Sequence, residues 1–216
     1  MNSWNLFLLY SLVLIGVMLL AEISYRIFKL NTEATRKIAH VGSGITALTY
    51  PVFINNYWVV LGLTISFTFI LFACKKIGLF PSIFSVGRKS YGELLFVWSS
   101  FFLFWWYQHT GEQIHFYLPF SILVFADPVA AIVGKYLPIK IYRIFNHIKS
   151  LGGSVAFFIT TFLLSYYFLS GISLENVYLI SLIHTVFLTI TEGVSVKGWD
   201  NLTIPSASLI FLHLIL

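Results

Sequence analysis

Eight apolar runs follow one another along the chain with only short polar breaks, at residues 4–21, 38–53, 57–74, 91–107, 116–133, 155–169, 177–190 and 202–216. A membrane span takes about 20 apolar residues, so about eight spans with short loops fill the chain and leave no room for a separate soluble domain. Hydrophobic residues make up 58% of the sequence and charged ones 10%. Soluble domains run at about 45–50% and about 25%. That contrast excludes a soluble globular enzyme. A 19% aromatic content excludes disorder. Some runs are short for a span, which lower tilt, local thinning or partial re-entry accommodates. The expected fold is all-α: a polytopic membrane helical bundle of about eight transmembrane helices. Residues 1–216 form a single integral membrane domain in this reading.

Charge sets the expected topology. All 13 Lys and Arg residues fall on alternate loops. The loop after the first run holds Arg26, Lys29, Arg36 and Lys37; the next, around Asn55, holds none. Lys75, Lys76, Arg88 and Lys89 follow, then none around Glu112, then Lys135, Lys140, Arg143 and Lys149, none around Glu175, and finally Lys197. A wrong span count would break this alternation. The positive-inside rule puts the basic loops in the cytoplasm and both termini outside. Met1–Ser3 carries no Lys or Arg, so the first run reads as a retained span and not a signal peptide. The net charge of +5 reports topology, and no nucleic-acid partner is expected. A single cysteine, Cys74, permits neither an internal disulfide nor a cysteine metal site. The aromatic stretch at 101–107 reads as a lipid-facing and interfacial belt.

Ionisable residues in or beside spans are costly and need a reason. Asp127 lies inside the fifth run with Pro128 behind it. Proline lacks an amide proton, and such a break can expose carbonyls to a polar cavity. The competing explanation is a structural carboxylate paired with a neighbouring helix. Lys149-Ser150 stands before Gly152 and Gly153 at a helix start, an arrangement suited to phosphate. A glycine-lined helix contact explains the same glycines equally well. Arg36, His40 and Gly44 share one face of the second span. Snorkelling accounts for Arg36 and Lys37 but less well for His40. Glu93 opens the fourth span, where the helix dipole alone favours a carboxylate. Glu192 ends the seventh span and Asp200-Asn201 opens the eighth, where Asp200 is also a possible N-cap. Collectively these acids, with basic residues beside them, gather at one membrane face. That combination suits Mg²⁺ with a polyphosphate. His109, His115 and His213 fall near the other face, His147 lies in a basic loop, and His184 reads as a packed, hydrogen-bonded mid-span residue.

The ordered motifs resemble a known family. These are Arg36-Lys37-x-x-His40, Arg88-x-Ser90-x-Gly92-Glu93, Asp127-x-x-Ala130-Ala131-x-x-Gly134, Lys149-Ser150-x-x-Gly153-Ser154, and Glu192 followed by Asp200-Asn201-Leu202-Thr203-Ile204-Pro205. Together they are similar to the CTP-dependent lipid-alcohol kinases: dolichol (polyprenol), phytol and farnesol kinases and the yeast-type diacylglycerol kinase. The chain departs from the family pattern at Leu137 and Pro138, where a second glycine is common, and at Gly152, where an acidic residue is common. The resemblance implies nucleotide contacts from Asp127, Gly134, Lys149, Ser150 and Gly153.

The expectation is a multi-pass cell-membrane kinase, active at the cytoplasmic side among membrane lipids. It would move the γ-phosphate of CTP to the hydroxyl of a lipid alcohol. Asp127, Glu192 and Asp200 would hold Mg²⁺ or orient the acceptor, Glu93 and His40 would orient other groups, and Arg36, Lys37, Arg88, Lys149 and Asn201 would meet the nucleotide and its phosphates. A phosphatidate cytidylyltransferase would use similar groups to attack the α-phosphorus. A small membrane transporter would spread polar groups through the midplane or carry an inverted repeat.

Overall fold

The structure, a computed structural model, describes residues 2–84, 91–144 and 147–216. The chain is an all-α polytopic membrane bundle with one small hairpin. Its elements are α1 (Ser3–Arg26), α2 (Thr32–Leu48), α3 (Tyr50–Phe53), α4 (Tyr57–Ile77), α5 (Pro81–Phe84), α6 (Gly92–Thr110), α7 (Ile114–Ser121), a π-helical segment (Ile122–Ala126), α8 (Asp127–Tyr136), β1 (Ile141–Ile144), β2 (His147–Ser150), α9 (Leu151–Ser170), α10 (Val177–Val194) and α11 (Asp200–Ile215). Among the described residues five helical stretches are long and apolar enough to cross a membrane: α1, α4, Ile114–Tyr136, α9 and α10.

Side-chain oxygens set the starts of α1, α2, α4 and α9. Asn31 accepts from the Ala34 amide at 3.0 Å, Asn56 from Trp58 at 3.0 Å and Ser150 from Gly153 at 3.1 Å. Each satisfies a donor that the first helical turn leaves open. Because Asn31 caps α2, Arg36 and Lys37 stand in its second turn, inside the helix.

The bundle is apolar outside, and its apolar interior also holds buried polar contacts. Leu12, Phe69, Leu163 and Leu214 are 62–79% exposed, as lipid-facing residues should be. Ser165, His184 and Ser208 are fully buried. The His184 ring bonds Ser165 Oγ at 2.9 Å and Ser208 Oγ at 3.0 Å, tying α9, α10 and α11 together. Interhelical polar bonds of this kind hold membrane helices where the hydrophobic effect does not. His184 is thus the packed, hydrogen-bonded residue expected from the sequence.

Two apolar clusters form, one among α1, α2, α4, α6 and α7, the other among the segment from α7 to α11. The 101–107 stretch is not a simple belt. Leu103 and Phe104 are fully buried, because α6 packs between α4 and α11. The β1–β2 hairpin, absent from the sequence reading, pairs Tyr142 with Lys149 and Ile141 with Ser150. It is short and lies in a basic loop, so no apolar alternation announced it.

Candidate active site

One cavity of ≈ 410 Å³ collects twelve of the thirteen residues singled out in the sequence: His40, Glu93, Asp127, Glu192, Asp200, Arg36, Lys37, Gly134, Lys149, Ser150, Gly153 and Asn201. Arg88, the thirteenth, lies outside the described residues. Five of the chain's eight acidic residues line this one cavity.

The cavity is built around a local break in one span. Pro128 has no N–H, so carbonyls one turn back lose their partner. The chain responds with the π segment at Ile122–Ala126, a device that often marks functional positions. His40 Nε2 donates to the freed Leu123 carbonyl at 3.0 Å. A carbonyl only accepts, so Nε2 carries the proton. On the next turn of α2, a Cβ at Gly44 would come within 2.4 Å of Val124. Gly44 therefore lets α2 approach the π segment closely enough for the His40 bond.

Directly after the break, Asp127 meets Lys37. The Lys37 ammonium donates to Asp127 Oδ2, and each side chain is only 14% exposed. The structural-pair explanation thus has its partner, and that partner lines the cavity. A second pair stands nearby. Lys149 Nζ donates to Glu192 Oε1 at 2.6 Å and also to the Glu192 carbonyl. The other carboxylate oxygen of Glu192 is buried with no partner. Asp200 lies within the electrostatic reach of Asp127, Lys37 and Lys149, so the two pairs and this acid act as one charged cluster. Lys197 (φ 56°) and Gly198 (φ 88°) turn the chain between α10 and α11 and bring Glu192 and Asp200 to the same wall.

Other predicted residues hold the cluster in place. Asn201 Nδ2 donates to the Gly92 carbonyl at 3.1 Å, and Ser99 Oγ donates to the Asn201 carbonyl at 2.6 Å. These bonds lock α11 to α6. Glu93 sits in the first turn of α6, as expected. Ser150 caps α9 and donates to the Gly134 carbonyl at 3.3 Å. A Cβ at Gly153 would lie 2.9 Å from the Ala130 carbonyl, and one at Gly152 2.3 Å from the Leu137 carbonyl. The glycines therefore serve a close contact between α9 and the α8 end while Gly134 and Gly153 also line the cavity. A larger side chain at position 152 has no space here.

Sequence reasoning missed the far arm of the cavity. Leu14 and Met18 of α1 and Leu63 and Phe67 of α4 line it, although no polar motif marks them. A signal did exist in α2, where Glu33, Lys37, His40, Ser43 and Ala47 recur at helical spacing and all face the cavity. Lys135 and Lys197 also line the charged end.

Among the described residues, no three His, Cys, Asp or Glu side chains converge into a metal site. Mg²⁺ seldom needs such a cage; it takes one or two carboxylates and completes its shell with water and phosphate.

No family model matches the chain. No solved structure matches it either. A phytol kinase of Synechocystis sp. (strain ATCC 27184 / PCC 6803 / Kazusa) is 30% identical over 195 residues, which span 89% of this chain and 84% of that protein. The chain belongs to the lipid-alcohol kinase family that includes phytol kinase.

Proposed function

We propose that this kinase transfers the γ-phosphate of CTP to the hydroxyl of a membrane lipid alcohol at the cytoplasmic face. The observation that carries the reading is the two-ended cavity: a charged cluster at one end and a buried apolar arm at the other. Such a shape suits a lipid whose polar head must meet a polyphosphate. CTP as donor rests on the resemblance of the Asp127-to-Gly134 and Lys149-to-Ser154 motifs. The cytoplasmic side rests on the alternation of basic loops.

Phosphoryl transfer asks mainly for positioning and charge neutralisation. In this reading the acceptor oxygen attacks the γ-phosphorus, the bond from that phosphorus to the β-bridging oxygen breaks, and CDP leaves. The hydroxyl proton passes to a carboxylate of the Asp127, Asp200 and Glu192 group. Lys37, Lys149 and Arg36 neutralise phosphate oxygens. The two lysines wait on their carboxylates until the nucleotide arrives, which avoids leaving a buried charge unpaired.

The residues fit a Mg²⁺ ion. Glu192 has a buried oxygen without a partner, and Asp127 and Asp200 sit close enough to feel each other's charge. One or two of Asp127, Asp200 and Glu192 would hold the ion, with water and phosphate completing its shell, and the ion would neutralise charge on the polyphosphate.

The test uses purified protein, a panel of lipid alcohols together with phosphatidic acid, and CTP labelled at either the α or the γ phosphate. Label from γ in the lipid is the expected result. Label from α with phosphatidic acid instead makes the protein a cytidylyltransferase, and no label in lipid from either removes the reading.

A further inference from the structure

The apolar arm of the cavity runs toward buried side chains. One stripe of α2 runs its whole length, from Lys37 at the charged end to Ala47, with Tyr50 of α3 beyond. At about 1.5 Å per residue, Ala47 lies about 15 Å from Lys37 along the helix and Tyr50 about 20 Å. Leu63, in the second turn of α4 after the short connection from α3, lines the cavity and shares an apolar cluster with Tyr50. Tyr50 is 3% exposed and Leu63 2%.

This end is braced. The Tyr50 ring stands edge-on to Tyr10 at 5.1 Å and to Phe104 at 6.0 Å. Tyr10 is itself fixed by a 2.6 Å hydrogen bond between its hydroxyl and Thr49 Oγ1. Two aromatic edges and a hydrogen bond keep Tyr50 from swinging aside to admit more chain.

We propose that Tyr50 and Leu63 are the floor of an acceptor-chain slot and set the length of lipid the enzyme takes. The proposal rests on the kinase reading above, with the hydroxyl at the Lys37–Asp127 end. An extended isoprene unit advances four carbon–carbon bonds of about 1.5 Å, or roughly 5 Å along the chain. A slot about 15–20 Å deep therefore holds about three to four units. A cavity of ≈ 410 Å³ is in the lower part of the ~300–1,000 Å³ range for one small ligand. Part of it belongs to the charged end, so one chain fits and two do not. The slot selects a single-chain prenol of this length over a much longer polyprenol or a diacylglycerol.

Two full-length variants test the floor from opposite sides. Tyr50→Ala deepens the slot and Leu63→Phe makes it shallower. Each is assayed with γ-labelled CTP against prenols of two, three, four and eleven units and a diacylglycerol. The wild type should prefer three or four units. Tyr50→Ala should raise kcat/KM for the eleven-unit prenol relative to the four-unit one by at least about tenfold, the scale on which a pocket discriminates added methylenes. Leu63→Phe should raise the two-unit to four-unit ratio by a similar factor. A folding defect lowers all acceptors alike and leaves these ratios where they were. Unchanged ratios in both variants overturn the floor assignment. So does a wild type that phosphorylates the eleven-unit prenol or diacylglycerol as well as the four-unit prenol, though the kinase reading then stands. No γ label in any lipid overturns both.

Discussion

Lys149 of β2 and Glu192 of α10 are joined at 2.6 Å across the mouth of the cavity, and Lys149 also donates to the Glu192 backbone carbonyl. The lysine thereby fixes the hairpin to the end of a span. Lys149→Ala leaves Glu192 buried and uncompensated, which costs about 3–5 kcal/mol. It also removes a point charge from the proposed phosphate site. The double variant Lys149→Met with Glu192→Gln should regain thermal stability in detergent but not nucleotide affinity. Wild-type nucleotide affinity in Lys149→Ala would reduce the pair to a structural tether.

His40 should matter through the Leu123 carbonyl it satisfies. His40→Ala leaves that carbonyl buried without a donor, at a cost of about 1–3 kcal/mol. The π segment would relax, and Asp127 one turn on would move with it. Turnover should fall with stability. His40→Gln, whose amide can still donate, should restore most of both. If His40→Ala melts and turns over like the wild type, the π segment does not depend on this bond.

Gly152 offers a purely steric test. A single methyl there would stand 2.3 Å from the Leu137 carbonyl, which is backbone and cannot rotate away. Gly152→Ala must push α9 from the end of α8 and carry Lys149 with it. Overpacking of this kind costs about 1–3 kcal/mol. The nucleotide KM should rise more than the acceptor KM, since the shift is at the Lys149 end. Equal rises in both would point to general loosening.

The charged end of the cavity was legible because ionisable residues are rare in an apolar chain, and each one had to be explained. Asp127 stood out against its run, and Pro128 announced the freed carbonyl that His40 meets. The pairing itself was not legible. Lys37 looked like a snorkelling residue because nothing local relates it to Asp127, ninety positions away. Nor could the dual use of the glycines be read, since Gly134 and Gly153 meet only when α8 and α9 pack. The apolar arm was silent for a different reason. Leu14 and Leu63 look like any lipid-facing leucine until their helices are placed, because periodicity says little in a helix that is apolar all round.

Topology can be checked at two loops. Asn55 lies between α3 and α4, and Lys140 lies just before β1; both are exposed. In the proposed topology the chain crosses between them through α4, α6 and the stretch Ile114–Tyr136, an odd number of passages. With Cys74, the chain's one cysteine, replaced by Ser, a cysteine at 55 should label from outside and one at 140 from the cytoplasm. Labelling of both from one side breaks the proposed topology.

Asp127 carries the sharpest prediction because its two possible roles now have different partners. As half of a buried pair, its removal strands the Lys37 ammonium. As a ligand or acceptor-orienting group, its removal stops the chemistry. Asp127→Asn should lower turnover by at least about a hundredfold, the usual scale for a lost acid–base or charge-stabilising group. It should also lower the melting temperature, since Lys37 is left without its counter-charge. Adding Lys37→Met removes the stranded charge and should return much of the lost stability. If the pair were only structural, activity would return with it. The double variant should therefore be stable and inactive. Purified Lys37→Met/Asp127→Asn protein that melts near the wild-type temperature and turns over at a near-normal rate would strip Asp127 of any part in the reaction.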